Sequence, residues 1–176
     1  MKLCMFSPRD QDLERGWPGR IDGERVIQLA AQTLQAFFTG GGQAREHAEY
    51  PLADVVFRAP VLHPPSVRIF DDAGDFVFAN PAAIKAVGEE PGVPGAEQVE
   101  RVAAIMGADG TVGGFTPLVE WVAPDLLGMK QRDFALTLGP IVTTPDQGFP
   151  PGVDWEGLVS HAAEHTTLYP GDLIVR

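Results

Sequence analysis

The chain has 176 residues, of which 44% are hydrophobic and 21% charged, and this composition is typical of one globular domain with its own core. Its formal net charge of −11 disfavours binding to nucleic acids or to an anionic membrane surface, because both require a basic protein surface. A small anionic substrate is still compatible, since one local Lys or Arg pocket can outweigh the overall field. The single cysteine, Cys4, excludes an internal disulfide, and the lack of a signal peptide or of an apolar run of about 18 residues predicts a cytoplasmic protein.

Short strands separated by turns are predicted for the first part of the chain. Residues 2–7 favour a strand, and Asp22-Gly23 predicts a hairpin turn before a strand at residues 24–29, because this dipeptide tolerates positive φ angles. Apolar residues between positions 29 and 38 then recur near helical spacing. The glycine run at residues 40–42 is expected to end that helix.

The rest of the chain continues this pattern of short strands, many of them bounded by proline or glycine. The predicted elements are two strands within residues 50–70, single strands within 75–81, 99–107 and 115–126, a strand within 134–147 that is interrupted at Gly139-Pro140, a helix over Asp154–His165 and a last strand within 169–176. Asp154 is a favourable N-cap for that helix. Many short strands, two modest helices and no alternation of strands with helices together predict a mainly β, α+β domain.

From about Pro60 onward, the motifs follow one another in an order that resembles the fumarylacetoacetate hydrolase family. The matching segments are "RAPVLHPPSVRIF", "FANPAAI", "ERVAAIMG", "GGFTPLVEWVAPDL", "MKQRDFALTLGPIVTTPDQ" and "SHAAEHTTLYPGDLI". The resemblance covers about two thirds of the chain and implies a mixed β-sandwich roll. We therefore expect an N-terminal strand, hairpin and helix segment at 1–59 and a β-rich core at 60–176, joined in one compact unit. It also implies a homodimer.

Members of this family bind a divalent cation such as Mg²⁺ through three acidic residues, and two of those positions are not acidic here. Counted back from Gly107, the Glu-x-Glu pair of the family falls on Val99 and Arg101, while the third acid falls on Glu120. One glutamate cannot form a site for a hard cation, which needs several oxygen ligands. The sequence therefore predicts no metal cofactor, with Glu120 as the one residual ligand candidate.

Two further features of the family are missing from the sequence. Its catalytic His-x-x-Glu segment is expected between "PPSVRIF" and "FVFANP", where only "DDAGD" is found. Its Gly-Thr-Pro substrate loop is not found after "GDLIVR", which includes the end of the last matching segment.

Five residues remain as site candidates. Lys130 and Glu120 are the catalytic candidates, the lysine as an anion-binding group or base and the glutamate as a general acid. Arg101, Asp133 and Thr137 are the ligand-binding candidates. The simpler alternatives are a surface Lys130 paired with Asp133, and strand residues Glu120 and Arg101 that face solvent.

The most specific structural prediction concerns Arg101 and Glu120. An unpaired guanidinium in the interior would be costly, so Arg101 is expected to form an ion pair with Glu120 where the metal of the family would bind. Lys130 would then be the free cation for a ligand. His161 and His165, one helical turn apart, could instead hold Zn²⁺, but a structural role for this helix is favoured.

Two functions follow from the resemblance. The first is binding of a small 2-oxo-acid-like ligand, with hydrolase, lyase, decarboxylase or isomerase chemistry that works without the usual metal. The second is a catalytically inactive pseudoenzyme that acts as a binding or dimerisation module. The residues do not name a substrate.

Overall fold

A mixed sheet of thirteen strands forms most of the computed structural model, which describes residues 1–11 and 13–176. The strands are β1 (Lys2–Pro8), β2 (Trp17–Asp22), β3 (Arg25–Leu29), β4 (Glu46–Pro51), β5 (Val55–Arg58), β6 (Val67–Phe70), β7 (Phe76–Ala79), β8 (Ile84–Lys85), β9 (Glu97–Met106), β10 (Val112–Val122), β11 (Leu136–Leu138), β12 (Ile141–Thr143) and β13 (Leu173–Val175), and the helices are α1 (Leu34–Thr39) and α2 (Trp155–Ala162). The predicted mainly β class is therefore confirmed.

The order of the strands shows how the two parts of the chain are joined. The main path of the sheet is β4-β3-β2-β1-β12-β10-β9-β13-β6-β7, with β5 paired to β1, β11 to β10 and β8 to β11. The β13–β6 and β11–β8 pairs are parallel, whereas β1 pairs with β12 in the antiparallel sense. Strands from before and after residue 59 are thus neighbours in one sheet.

The β9–β10 pair, the longest ladder of the sheet, separates two hydrophobic cores. Because side chains alternate along a strand, Ala103 and Ile105 of β9 face the larger core, while Ala104 and Met106 face a second core beneath α2. The larger core also contains Leu3, Leu34, Leu118 and Leu136. The residues of β9 and β10 that share a face with Ala103 therefore point into the interior of the roll.

Both helices begin at side-chain caps but are shorter than the sequence suggests. Thr33 accepts a hydrogen bond from the Ala36 amide, so α1 starts at Leu34, and Leu29 belongs to β3 instead. Asp154 caps α2 by accepting from the Gly157 amide, as predicted. None of the helices in residues 1–11 and 13–176 is long and apolar enough to span a bilayer.

The predicted end of α2 at His165 is wrong, because the helix ends at Ala162 and His165 has a φ of 58°. His161 and His165 therefore do not lie on one helical face. Each imidazole instead has a nitrogen 3.7 Å from a Glu164 carboxylate oxygen. Within the part of the chain that the structure describes, no group of three His, Cys, Asp or Glu side chains is arranged to hold a metal ion.

The segment that replaces the missing His-x-x-Glu is a tight turn between β6 and β7. The Asp71 amide donates to the Asp75 carbonyl at 2.8 Å, and the Asp71 carboxylate accepts from the amides of Ala73 and Asp75. Gly74 completes the turn with a φ of 86°. Asp72 at its tip forms an ion pair of 2.6 Å with Arg176, which fixes the turn to the end of β13.

Cys4 lies fully buried in β1, where its thiol faces the Gly19 carbonyl at 3.8 Å. Burial raises the pKa of the Cys4 thiol from 9.0 to about 12, because the charged thiolate is poorly solvated there. The thiolate is the reactive form of cysteine. The thiol is therefore expected to be inert in the folded protein.

We predict that an aromatic disulfide reagent labels native Cys4 about 1000-fold more slowly than an exposed thiol at pH 8, in proportion to the lower thiolate fraction. The rate is followed by absorbance, first in buffer and then in guanidinium chloride, where labelling should become rapid. Native labelling at the rate of the denatured protein would contradict the burial of Cys4.

Candidate functional site

Glu120 is a carboxylate buried near the end of β10. It pairs with Val99 on β9 and with Leu136 on β11, so both strand neighbours are apolar, and it is 1% exposed. Burying an ionised carboxylate without a partner costs several kcal/mol. The surrounding structure must therefore supply positive charge to this side chain.

Arg101 supplies the first part of that charge. Its Nε donates to Glu120 Oε2 at 2.7 Å, and its side chain is 18% exposed. The register of the ladder explains the contact, because Arg101 is two residues from Val99 and therefore on the same face as Glu120. The ion pair that the sequence predicts is present.

Arg132 supplies the second part and was not predicted from the sequence. Its Nη2 lies 2.7 Å from Glu120 Oε1. The chain leaves β10, makes a loop closed by a hydrogen bond from the Ala123 amide to the Gln131 carbonyl, and returns toward β11. Arg132 follows the closing residue, Gln131. We call Arg101, Glu120 and Arg132 the arginine–glutamate cluster.

The arginine–glutamate cluster carries more positive than negative charge. Two guanidinium groups face one carboxylate, which leaves a formal charge of +1. Arg132 Nε is buried and has no hydrogen-bond acceptor among the described residues, and Glu120 Oε1 accepts no hydrogen bond among them although Arg132 Nη2 is 2.7 Å away. The Arg132 side chain as a whole is 38% exposed, so a small anion can approach the part of it that faces solvent, away from the buried Nε.

Lys130 and Asp133 lie close to the cluster in sequence but are paired with each other. Lys130 is on the 3₁₀ turn Gly128–Gln131, is 77% exposed, and donates to Asp133 Oδ2 at 2.9 Å. The burial on which a role as a base depends is absent, and the expectation of Lys130 as a free cation is not met. The Asp133 carbonyl also accepts from Asn80 Nδ2, which ties the "FANP" motif to this segment.

Thr137 is on the opposite face of the sheet from Glu120. Its neighbour Leu136 shares the face of Glu120, so Thr137 points the other way and accepts a hydrogen bond from Trp121 Nε1 at 2.9 Å. There it lines a separate cleft of about 320 Å³ with Trp121, Glu89 and Glu90. The structure therefore does not bring Thr137 together with the other site candidates.

The residues around Glu120 do not fit a divalent cation. Val99 offers no oxygen ligand, Arg101 places a guanidinium next to the carboxylate, and Arg132 faces its second oxygen. Mg²⁺ and Mn²⁺ require several oxygen ligands and are repelled by such cations.

No protein-family model matches the chain, and no curated protein matches it by sequence. Several solved structures do match the chain, by the similarity of their folds. A maleylpyruvate hydrolase from Sphingobium sp. SYK-6 has a TM-score of 0.78 and 21% identity, covering 99% of this chain and 87% of the hydrolase. The same hydrolase with manganese(II) and pyruvate gives a TM-score of 0.76 and 20% identity, covering 98% of this chain and 86% of the hydrolase.

Two further enzymes share this architecture. A 2-keto-3-deoxy-D-arabinonate dehydratase with magnesium and 2,5-dioxopentanoate has a TM-score of 0.72 and 14% identity. The match covers 99% of this chain and 86% of the dehydratase. A 2-hydroxyhepta-2,4-diene-1,7-dioate isomerase from Mycobacterium marinum has a TM-score of 0.72 and 18% identity, with the same coverage. These similarities confirm the fold that the sequence resemblance predicts.

We predict that the purified protein binds neither Mg²⁺ nor Mn²⁺ with one-to-one stoichiometry, because the cluster presents cations where a metal would need anionic ligands. Elemental analysis and calorimetric titration of the protein measure this. Tight one-to-one binding that disappears in the Glu120→Gln variant would contradict the prediction, because it would place the metal at the cluster.

We predict that Glu120→Gln lowers the free energy of unfolding by about 2 to 3 kcal/mol, because two partly buried guanidinium groups lose their anion. Urea unfolding followed by circular dichroism measures the loss. The matched control is Glu46→Gln, which breaks an exposed ion pair with Arg20 and should cost about 1 kcal/mol or less. Equal losses in both variants would contradict the special role of Glu120.

Proposed function

We propose that this chain, which has the fold of the fumarylacetoacetate hydrolase family, binds the carboxylate of a small oxo acid at the arginine–glutamate cluster. Binding proceeds without a divalent cation. The ligand carboxylate accepts hydrogen bonds from Arg132, while Arg101 and Glu120 hold that guanidinium in place.

The observation that carries this proposal is the incomplete neutralisation of Arg132. Glu120 offsets one of the two guanidinium groups, and the Arg132 side chain is 38% exposed to solvent. A planar guanidinium presents several donors in a fixed geometry, which matches the two oxygens of a carboxylate. A ligand carboxylate at the exposed part of the Arg132 side chain would therefore complete the charge of the cluster.

The ligands of the fold neighbours support an oxo acid as the chemical class. One hydrolase structure contains pyruvate, and the dehydratase structure contains 2,5-dioxopentanoate. In those structures manganese(II) or magnesium accompanies the organic ligand. In this chain no metal is required in the proposal, because Arg101 and Arg132 are the positive groups that would attract the anion.

The geometry supports binding better than turnover. The register places Ile69, Val175 and Ala103 side by side, so the turn after β6 lies at the same end of the sheet as Arg101. The family resemblance places the catalytic His-x-x-Glu in this connection. Here it is the short Asp71–Asp75 turn, held by Arg176, and it contributes no histidine or glutamate.

A metal-independent enzyme is the second candidate. It is favoured by the fold neighbours, which are a hydrolase, a dehydratase and an isomerase. Glu120 would be its acid, but its side chain is 1% exposed and both of its carboxylate oxygens already face guanidinium groups. Incubation with 2-keto-3-deoxy-D-arabinonate, followed by NMR, separates the candidates for dehydratase chemistry, since the binding protein leaves the compound unchanged and an enzyme that removes water converts it to 2,5-dioxopentanoate.

We predict that pyruvate binds one-to-one to protein treated with a chelator, and that Arg132→Met weakens this binding at least about tenfold. Loss of charged hydrogen bonds to a carboxylate costs about 1.5 to 3 kcal/mol, which corresponds to this change in Kd. Ligand-observed NMR and calorimetry measure the affinity.

The matched control for this experiment is Arg20→Met. Arg20 is another partly buried arginine paired with a glutamate, Glu46, but it lies on β2, far along the sheet order from β10. This variant should keep the affinity of the unchanged protein. Pyruvate binding that requires added Mn²⁺, or that is equally weakened by both substitutions, would refute the proposal.

A further inference from the structure

A cleft beside the first turn of α2 lies apart from the arginine–glutamate cluster. Its volume is about 610 Å³, which is typical of a site for a small molecule. Trp155 and Val159 line it and pack in the second core beneath α2. Glu120 instead shares the face of Leu118, which points into the interior of the roll. The cleft and the cluster therefore lie on opposite faces of the β9–β10 ladder.

Aromatic and valine side chains form the inner surface of this cleft. Trp155 lies at its base, since it is 2% exposed and its Nε1 donates to the Pro150 carbonyl at 3.2 Å. The Phe115 ring contacts two others, with centroid distances of 5.0 Å to Trp155 and 5.1 Å to Phe149. Phe149 forms one wall and is 56% exposed, so its ring is open to contact with a ligand. The remaining apolar wall consists of the half-buried Val112, Val153 and Val159.

The charged side chains at the cleft are both acidic. Asp154 and Glu156 line it, and none of its other described lining residues is charged. Asp154 Oδ1 accepts from the Gly157 amide at 3.0 Å, whereas Glu156 is exposed and has no hydrogen-bond or ion-pair partner among the described residues. Because Asp154 already caps the amides at the start of α2, an anion is disfavoured here and a cation is attracted to Glu156.

We propose that this cleft binds a small organic cation with an aromatic ring, of the arylalkylamine class. The ring packs against Phe149, since aromatic pairs are more favourable than their contact area alone implies. The ammonium group faces the Glu156 carboxylate at the rim of the cleft. The proposal does not depend on ligand binding at the arginine–glutamate cluster, and the two sites select ligands of opposite charge.

The first test compares ligands that differ in one feature. Tryptamine, an arylalkylamine that is protonated at pH 7, should bind one-to-one in calorimetric titration at low ionic strength. Tryptophol has the same ring with a hydroxyl in place of the ammonium group, and it should bind at least about threefold more weakly because it lacks the ion pair with Glu156. Ethylamine, which lacks the ring, should bind too weakly to be detected. Absence of saturable tryptamine binding at millimolar concentrations, or equal affinity for either of the other compounds, would overturn the proposal.

The second test places the ligand in the cleft. Phe149→Ala should weaken tryptamine binding at least about fivefold, through loss of the ring contact. Glu156→Gln should weaken binding of tryptamine about threefold and leave that of tryptophol unchanged, a difference that a general loss of structure would not produce. The matched controls remove a ring that is 59% exposed on β7, in Phe78→Ala, and a carboxylate that is 61% exposed beyond the end of α2, in Glu164→Gln. Both controls should keep the affinity of the unchanged protein.

Two outcomes of these experiments would place the ligand elsewhere and overturn the proposal. One is tryptamine binding that survives Phe149→Ala, or that the control substitutions weaken equally. The other is competition with pyruvate, which should leave the affinity for tryptamine unchanged when it is added in excess. Displacement of tryptamine by pyruvate would place both compounds at one site.

Discussion

Burial of the Glu120 carboxylate is the constraint on which the candidate site depends. With Val99 and Leu136 as its strand neighbours, the carboxylate receives no compensation from the sheet beside it. The positive charge has to come from a diagonal position on β9 and from the loop before β11. The ends of three strands, β9, β10 and β11, are therefore held in register by one buried charge as well as by their backbone ladders.

Strand alternation explains which parts of the site could be predicted. Arg101 and Glu120 both lie on regular strands, so their shared face follows from the spacing of Val99, Arg101 and Gly107, once the two strands are paired. The same alternation could have excluded Thr137, since Glu120 lies opposite Leu136 and the next residue must point away. The alternation of side chains along β11 could be predicted from the sequence, but the pairing of β10 with β11 could not.

Arg132 could not be predicted in the same way, because a loop positions it. The direction of its side chain depends on the 3₁₀ turn Gly128–Gln131 and on the backbone hydrogen bond that closes the loop. Neither feature produces a repeating pattern of residues in the sequence. The end of α2 is a related case. After Ala162, the residues Glu164 to Thr167 are exposed and polar and bury no apolar face against the sheet, so packing does not extend the helix.

Two guanidinium groups carry the same total charge as a divalent cation, yet they differ from it in what they can do for a ligand. A cation draws oxygens from several directions into its coordination shell. A guanidinium donates only in its own plane, and here much of that plane already faces Glu120. In the proposed function, the cluster attracts and orients one carboxylate, but it does not offer the oxygens of an oxo acid a shared positive centre. In the proposed function, Val99 and Arg101 at the positions of the family's acidic pair therefore account for binding of an anion without a metal.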